Sequence, residues 1–488
     1  MSLYAGFDCS TQSLSVVVID ADARTVVFRD ALHFEEPFFA SPEPGVVHAS
    51  PRIWASALET MVGRMAQHID RNALRAISGS AQQHGSVYCG AAPDVLVRAT
   101  SPIWMDNSTG RECREIEASL GGADAVAQLT GSRAFPRFTG PQIRKFARAE
   151  PDDYARTTRI HLVSSYLASL LIGQHAPIDH ADGSGMTLMD IRAREWSARA
   201  VDATAPGLHE KLPPLVASST VIGHLQPQWQ RRFGLPAVRI VAWSGDNPCS
   251  LIGTGLVAEG QLAVSLGTSD TIFGPMREPR VSGDGTGHVF ASPTGDYMGI
   301  TVFRNGSLAR ERVRDQFGLD WAGFSASLNA TPAGNYGAMM LPWFEPEITP
   351  DVPRPFPTSQ GLDDAEPARH VRALVEAQMM ALWRHSAWMG VAPRTIYATG
   401  GASANREILQ VMADVFDADV YRFESTDSAA LGAALRAWQA DAGLPWDEVA
   451  AGFTGALDES RVIPERNHVD LYRSLRARYA ELERSALL

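Results

Sequence analysis

One pattern constrains this chain more than any other, and it occurs twice: an apolar strand, a short turn of small polar residues, and a second strand. Near the start, Leu3–Asp8 and Leu14–Asp20 flank Cys9-Ser10-Thr11-Gln12-Ser13. After residue 260 the chain restarts in the same way, and Gln261–Leu266 delivers Gly267-Thr268-Ser269-Asp270. Asp8-Cys-Ser-Thr-Gln and Leu266-Gly-Thr-Ser-Asp hold equivalent places, so the sequence reads as two halves built alike. Only the first copy has a carboxylate before its turn. The halves are joined by Val238–Gly274, whose first strand, Val238–Trp243, delivers Ser244-Gly245-Asp246-Asn247-Pro248.

The elements between fit an α/β chain. Closely spaced apolar runs at 3–8, 14–20, 26–28 and 32–34 predict an antiparallel meander. After Ser50-Pro51, the residues Ile53, Trp54, Leu58, Met61, Val62 and Met65 recur at helical spacing. Ala76–Ser80 reads as a strand, and 101–175 as mainly helical with a break at 130–140. The stretch 341–367 has seven prolines and no apolar period, which predicts a surface loop. Thr395–Ala398 predicts a strand running into Thr399-Gly400-Gly401, and a helix follows. Ala429–Ala437 is a helix of small residues, suited to close packing of backbone on backbone.

Composition removes several classes of function. A length of 488 residues predicts two or three domains. The net charge of −12 argues against nucleic acid and anionic membrane as partners. It leaves an anionic nucleotide open, because a cation and converging N–H groups act locally. Lys145 and Lys211 are the only lysines, and neither sits in a Gly-Lys-Ser/Thr setting, so a Walker-A loop is excluded. No Gly-x-Ser-x-Gly elbow is present for a serine hydrolase. Cys9, Cys89, Cys113 and Cys249 are scattered, as reduced thiols would be. With no basic leader and no apolar run long enough to span a bilayer, the expectation is a soluble, cytoplasmic protein.

Several residues have chemistry to offer, each with a plainer alternative. Asp246 stands where a strand ends and a helix begins, the place where ligands gather in α/β sheets. There it can take a proton from a substrate hydroxyl, or it can simply cap the helix. Asp8 before Ser10-Thr11 suits a magnesium ion held through water, or an Asx-turn. Two hydroxyl-rich turns facing each other would grip a polyphosphate from both sides. Gly400-Gly401, between strand and helix, would let a flat nucleotide approach the backbone. His84 is either a ligand contact or a satisfied structural histidine. Arg133 and Arg137 can clamp an anion or cap carbonyls.

The segments GFDCSTQS, SGSAQQHGSVY, PIWMDNSTGREC, LTGSRAFPRFTG, DGSGM, SGDNPCSLIG, AVSLGTSDT, FRNGSLARE and YATGGASANREILQVMADVFDADV, in this order, resemble the FGGY carbohydrate kinases. The resemblance runs from about Leu3 to Trp438 and is strongest to members acting on D-xylulose. It implies two ribonuclease-H-like, actin-like ATPase domains with a ligand cleft between them, at 1–253 for sugar and 254–488 for ATP. It implies transfer of the ATP γ-phosphoryl group to the 5-hydroxyl of D-xylulose. Carried over position by position, Asp246 matches the catalytic base, and His84, Arg137, Asp246 and Asn247 match sugar contacts. Asp8, Ser10 and Thr11, with Gly267, Thr268 and Ser269, match the phosphate loops. Gly400, Gly401 and Asn405 match the adenosine loop, and Trp321 a nucleotide contact. The resemblance further implies Mg2+ at Asp8, held through water, as a cofactor beside ATP. Serine at 10 departs from the glycine common in the family, and Gln-His-Gly at 83–85 replaces the Arg-Glu pair of glycerol kinases. The alternatives are a kinase for ribulose, glycerol or a sugar acid, and a non-catalytic actin-like ATPase sensor. No role is assigned to Gly183 and Gly185, and the oligomeric state stays open, a homodimer being one option.

Overall fold

The structure is a computed structural model that describes residues 1–283, 285–423 and 427–488. Two mixed sheets organise it. In the first, β1 (Leu3–Cys9) is buried along nearly its whole length, as its continuous apolar run requires. It pairs antiparallel with β2 (Ser13–Asp20), placing Gly6 opposite Val17. β2 pairs in turn with β3 (Thr25–His33), whose exposure alternates residue by residue as befits an edge strand. On its other side β1 pairs parallel with β4 (Leu74–Ala81). The sheet continues through β5 (Val221–His224) and β6 (Arg239–Val241), in the order β5-β6-β4-β1-β2-β3. A short β7 (Ser244–Gly245) also pairs with β4.

The second sheet repeats this plan. It contains β8 (Gln261–Leu266), β9 (Asp270–Met276), β10 (His288–Ala291), β11 (Tyr297–Phe303), β12 (Thr395–Thr399) and β13 (Asp419–Arg422). Their order is β10-β11-β9-β8-β12-β13. β8 runs antiparallel to β9 and parallel to β12, as β1 does to β2 and β4. The repeat suggested by two turns is thus a repeat of topology.

Helix α1 (Pro51–His68) starts at its proline and buries Trp54, Leu58, Met61, Val62 and Met65, the stripe expected from spacing. The helical reading of 101–175 holds for five helices, broken at Gly131 with φ +91°. Strand Arg159–Leu162, paired with Ser86–Cys89, was not foreseen. The apolar runs at 26–28 and 32–34 are one continuous strand, β3.

The proline-rich stretch differs from a surface loop. Trp343 and Val352 are buried, and Thr358–Gln360 pairs with Met339–Leu341. The Glu347 carboxylate accepts from the backbone N–H of Arg304 at 2.6 Å and of Asn305 at 3.1 Å. These anchors are isolated between prolines, so no periodicity announces them. All four cysteines are free and buried, and among the described residues no helix is long and apolar enough to cross a membrane.

One late element returns to the first sheet. Helix α2 (Asp246–Gly253) crosses a small-residue helix, Ser428–Ala442, at backbone distance. A Cβ on Gly253 would run into the Ser428 carbonyl, and one on Gly432 into that of Cys249. The same late helix covers β1, where a Cβ on Gly6 would strike the Ala430 carbonyl. Arg436 pins it down, donating to the carbonyls of Ala242 at 2.7 Å and Ser218 at 3.0 Å, with Asp179 at 3.7 Å. Its guanidinium is fully buried, so these acceptors are needed to offset lost hydration.

Overfilling this crossing is the sharpest test of the fold. Gly432→Ala is expected to destabilise by about 3 kcal/mol or more, the upper end for overpacking. Gly455→Ala, where an added Cβ meets nothing within 4 Å, is expected to stay within about 0.5 kcal/mol of wild type. Denaturant unfolding of both variants measures the difference.

Candidate functional site

A cavity of about 430 Å³ opens at the carboxyl end of β1, lined by Asp8, Ser10, Asp246, Asn247, Asp427 and Ser428. A cavity of about 490 Å³ lies elsewhere, between α1 and the helix Pro227–Phe233, beside the salt-bridged pair Arg232–Glu59. The first is the chemical candidate because carboxylates converge there at strand ends.

Asp246 is the first residue of α2, and Gly245 is the cap. The helix-cap alternative therefore lacks its hydrogen bond: Oδ1 accepts instead from the backbone N–H of Asn247 at 2.8 Å and from its Nδ2 at 3.1 Å. The backbone N–H groups of Gln83 and of Asp246 itself also approach the carboxylate, and among the described residues no side chain donates to Oδ2. Burial raises the Asp246 carboxyl to about 7, the Asp8 charge adds to this, and nearby N–H groups oppose it.

Asp8 is the last residue but one of β1, and its Oδ1 accepts from Ser80 Oγ of β4 at 2.7 Å, not from its own turn, so the Asx-turn alternative is not realised. Burial pushes it up to about 6, Ser80 opposes the rise, and the Asp427 charge adds to it. The hydroxyls of the first turn are already engaged. Ser10 Oγ meets Ser13, and Thr11 Oγ1 accepts from Trp104 Nε1 at 2.7 Å.

His84 and Arg137 stand in an adjoining aromatic recess. His84 has φ +71°, a left-handed conformation that a non-glycine residue holds only under constraint. Its Nδ1 lies 3.0 Å from the Gly185 carbonyl, which can only accept, so Nδ1 carries the proton and Nε2 keeps a free lone pair. Burial lowers its pKa to about 3, so the ring is neutral. Gly185 acquires a role here: a Cβ would sit 3.1 Å from the imidazole. The ring stacks on Phe138 at 4.2 Å.

Arg137 lies over Phe135 and Phe138 and donates to His288 Nε2 at 3.0 Å. No carboxylate pairs with it among the described residues, and burial lowers its pKa to about 10. Arg133 also lies over Phe135, and it faces Asp351 at 3.4 Å. Asn247 links recess and cavity by donating to Gln83 Oε1 at 2.9 Å.

The second sheet carries its own set. The Gly267 carbonyl accepts from Ser307 N–H at 2.8 Å. Beside it Arg310 holds Asp270 through two 2.8 Å bonds, both side chains being almost fully buried. Thr268 is exposed at the tip and Ser269 is half-buried. Gly400, at φ +85°, packs on the Leu266 carbonyl, where a Cβ would clash, so the Gly400-Gly401 loop sits directly beside the Gly267 turn. Asn405 caps the helix Arg406–Phe416 through Oδ1 and donates Nδ2 to Ser325 at 2.6 Å. Ser325 belongs to the helix Trp321–Ala330, so exposed Trp321 shares this end of the second sheet. None of these four second-sheet groups, at 267–269, 400–401, 405 and 321, lines the Asp246 cavity.

Sequence reasoning missed Gln83 as a partner of Asn247, Asp427 as a cavity carboxylate, and His288. Asp427 directly precedes the small-residue helix, which is a usable signal. His288 carries none, because it is distant in sequence from Phe135, Arg137 and Phe138, which it meets in the recess.

Comparison with known proteins agrees with this geometry. Residues 3–253 match the N-terminal domain of the FGGY family of carbohydrate kinases, and 262–440 its C-terminal domain. The chain is 39% identical to xylulose kinase of Rattus norvegicus, covering 99% of this chain and 96% of that one. It is 38% identical to xylulose kinase 2 of Arabidopsis thaliana, covering 89% and 87%. Among solved structures, xylulose kinase from Rhodospirillum rubrum superposes with a TM-score of 0.87 at 20% identity over 99% of this chain and 98% of that one. Glycerol kinase of Plasmodium falciparum with ADP gives 0.83 at 16% identity, covering 100% and 99%. The paired sheets thus have the ribonuclease-H-like, actin-like ATPase fold, and the chain belongs to the FGGY family of carbohydrate kinases.

Proposed function

We propose that this ATP-dependent carbohydrate kinase transfers the γ-phosphoryl group to the 5-hydroxyl of D-xylulose. Relatives named xylulose kinase, similar over nearly the whole of both chains, support that sugar. The observation that carries the chemistry is Asp246: Asn247 fixes Oδ1, no side chain donates to Oδ2 among the described residues, and its pKa lies near neutrality. Residues 1–253 would bind sugar and 254–488 nucleotide, the helix Ser428–Ala442 returning to the first sheet.

Each residue then has a task. Asp246 accepts the proton of the attacking hydroxyl, an event that Asn247 steadies by holding Oδ1. His84 offers Nε2 as an acceptor for a sugar hydroxyl. Arg137, a cation without a carboxylate partner, donates to a sugar oxygen. The N–H groups of the Gly267–Ser269 turn and that of Thr11 face phosphate oxygens, the Ser10 N–H being given to the Ser13 carbonyl at 3.0 Å. Gly400, Gly401, Asn405 and Trp321 receive the adenosine.

Phosphoryl transfer depends mainly on positioning and on charge stabilisation. A magnesium ion fits the donor set, since two carboxylates with raised pKa values, Asp8 and Asp246, face one cavity and repel each other. Asp8 would hold it through water, and when bound the ion neutralises charge on the phosphates.

A sugar acid is the second reading, and unpaired Arg137 favours it. A coupled ADP-release assay across D-xylulose, both ribuloses, glycerol and gluconate separates the two. The expected result is fastest turnover with D-xylulose; gluconate leading would transfer the function to sugar acids.

Asp246→Asn is expected to lose about 10²–10⁴-fold in kcat, the usual worth of general-base help. Because its folded-state pKa is raised, ionising Asp246 costs stability as pH climbs from its ordinary value to about 7. Asn cannot ionise, so the variant is expected to melt no lower than wild type at pH 8 while inactive. Turnover near wild type would remove Asp246 from the base role.

The same ionisation sets the pH profile. The carboxylate is the active form, so kcat/KM is expected to rise about tenfold per pH unit below about 7 and to level off above. A limb near the ordinary aspartate value would exclude Asp246 as its source.

A further inference from the structure

The sugar recess is not closed by the first half alone. Edge strand β10 of the second sheet docks against it, with Val289 N–H donating to the Gly131 carbonyl at 3.0 Å and Ala291 N–H to Ser184 Oγ at 3.1 Å. A Cβ on Gly131 would strike the Val289 carbonyl, so glycine permits the approach. The strand brings in His288, 4% exposed, which meets the Phe135 ring edge-on at 4.7 Å and Phe138 at 5.5 Å.

The His288–Arg137 hydrogen bond has only one possible polarity. A guanidinium cannot accept, so Nε2 offers its lone pair and the proton sits on Nδ1. Nδ1 is buried and has no partner among the described residues. A buried donor is rarely left unsatisfied, which marks the ring as held for what Nε2 does. Arg137 in turn has two rings and this one acceptor, and no carboxylate, to fix its orientation. Burial, with the charges of Arg137 and Arg133 beside it, keeps His288 neutral and able to accept.

We propose that His288 is a positioning residue, supplied by the second half of the chain, that orients Arg137 toward the sugar. Sugar affinity then depends on β10 being docked. The idea rests on Arg137 contacting sugar, as proposed above.

A double-mutant cycle tests it, read on whichever sugar of the panel the wild-type enzyme turns over fastest. A sugar other than D-xylulose would overturn the specificity reading and leave this one intact. His288→Ala and His288→Phe, the latter keeping the ring packing without the acceptor, are expected to raise sugar KM at least tenfold. Their kcat should change less than threefold, and ATP KM should hold. His288→Gln, whose side-chain carbonyl can accept from Arg137, should recover most of the affinity. Arg137→Ala combined with His288→Phe should be no worse than Arg137→Ala alone. Normal sugar KM in His288→Phe, full additivity in the double variant, or a fall confined to kcat would each overturn the proposal. If His288→Ala fails to fold, His288→Phe and His288→Gln carry the same comparison.

Discussion

The structure depends on one close crossing, that of helix Asp246–Gly253 with helix Ser428–Ala442. Backbones can touch there because Gly253 and Gly432 offer no Cβ to hold them apart. The crossing brings the start of each helix to the same cavity, so Asp246 and Asp427 face Asp8 although the chain separates them widely. It also seats a late helix on the earliest strand, over Gly6, where Arg436 fixes it through buried carbonyls. Small residues here are a geometric requirement: any side chain would push the helices apart and the carboxylates with them.

The crossing imposes an electrostatic load. Three acids share one cavity, and two of them are raised well above the ordinary aspartate range by burial and mutual repulsion. His84 adds a left-handed backbone, and His288 an unpaired donor. Such features lower stability and persist where function requires them. All of them lie beside the Asp246 cavity or its recess, whereas in the second sheet Arg310 meets the Asp270 carboxylate through two hydrogen bonds.

Much of this was legible in order along the chain. The turns at Ser10 and Thr268 announced the repeat because short apolar runs bounded by polar turns are local patterns. The stripe of α1 and the small-residue helix were legible for the same reason. Asp246, Asn247 and His84 stood out because unusual polar residues followed apolar strands. The Thr11 hydroxyl, by contrast, is held by Trp104, and the proline-rich stretch is anchored by Trp343, Val352 and Glu347. No local rule could show either, since each depends on a partner far away in sequence.

By itself the sequence determined the family, the two-half plan and the residue types available for chemistry, because motifs and periodicity are short-range properties. Only the tertiary structure decided that Asp246 is no helix cap, that Asp8 leans on Ser80, and that the late helix belongs to the first sheet. It alone placed His288 on Arg137. Pairing of distant groups is set by how sheets and helices pack, and packing is a property of the whole chain folded at once.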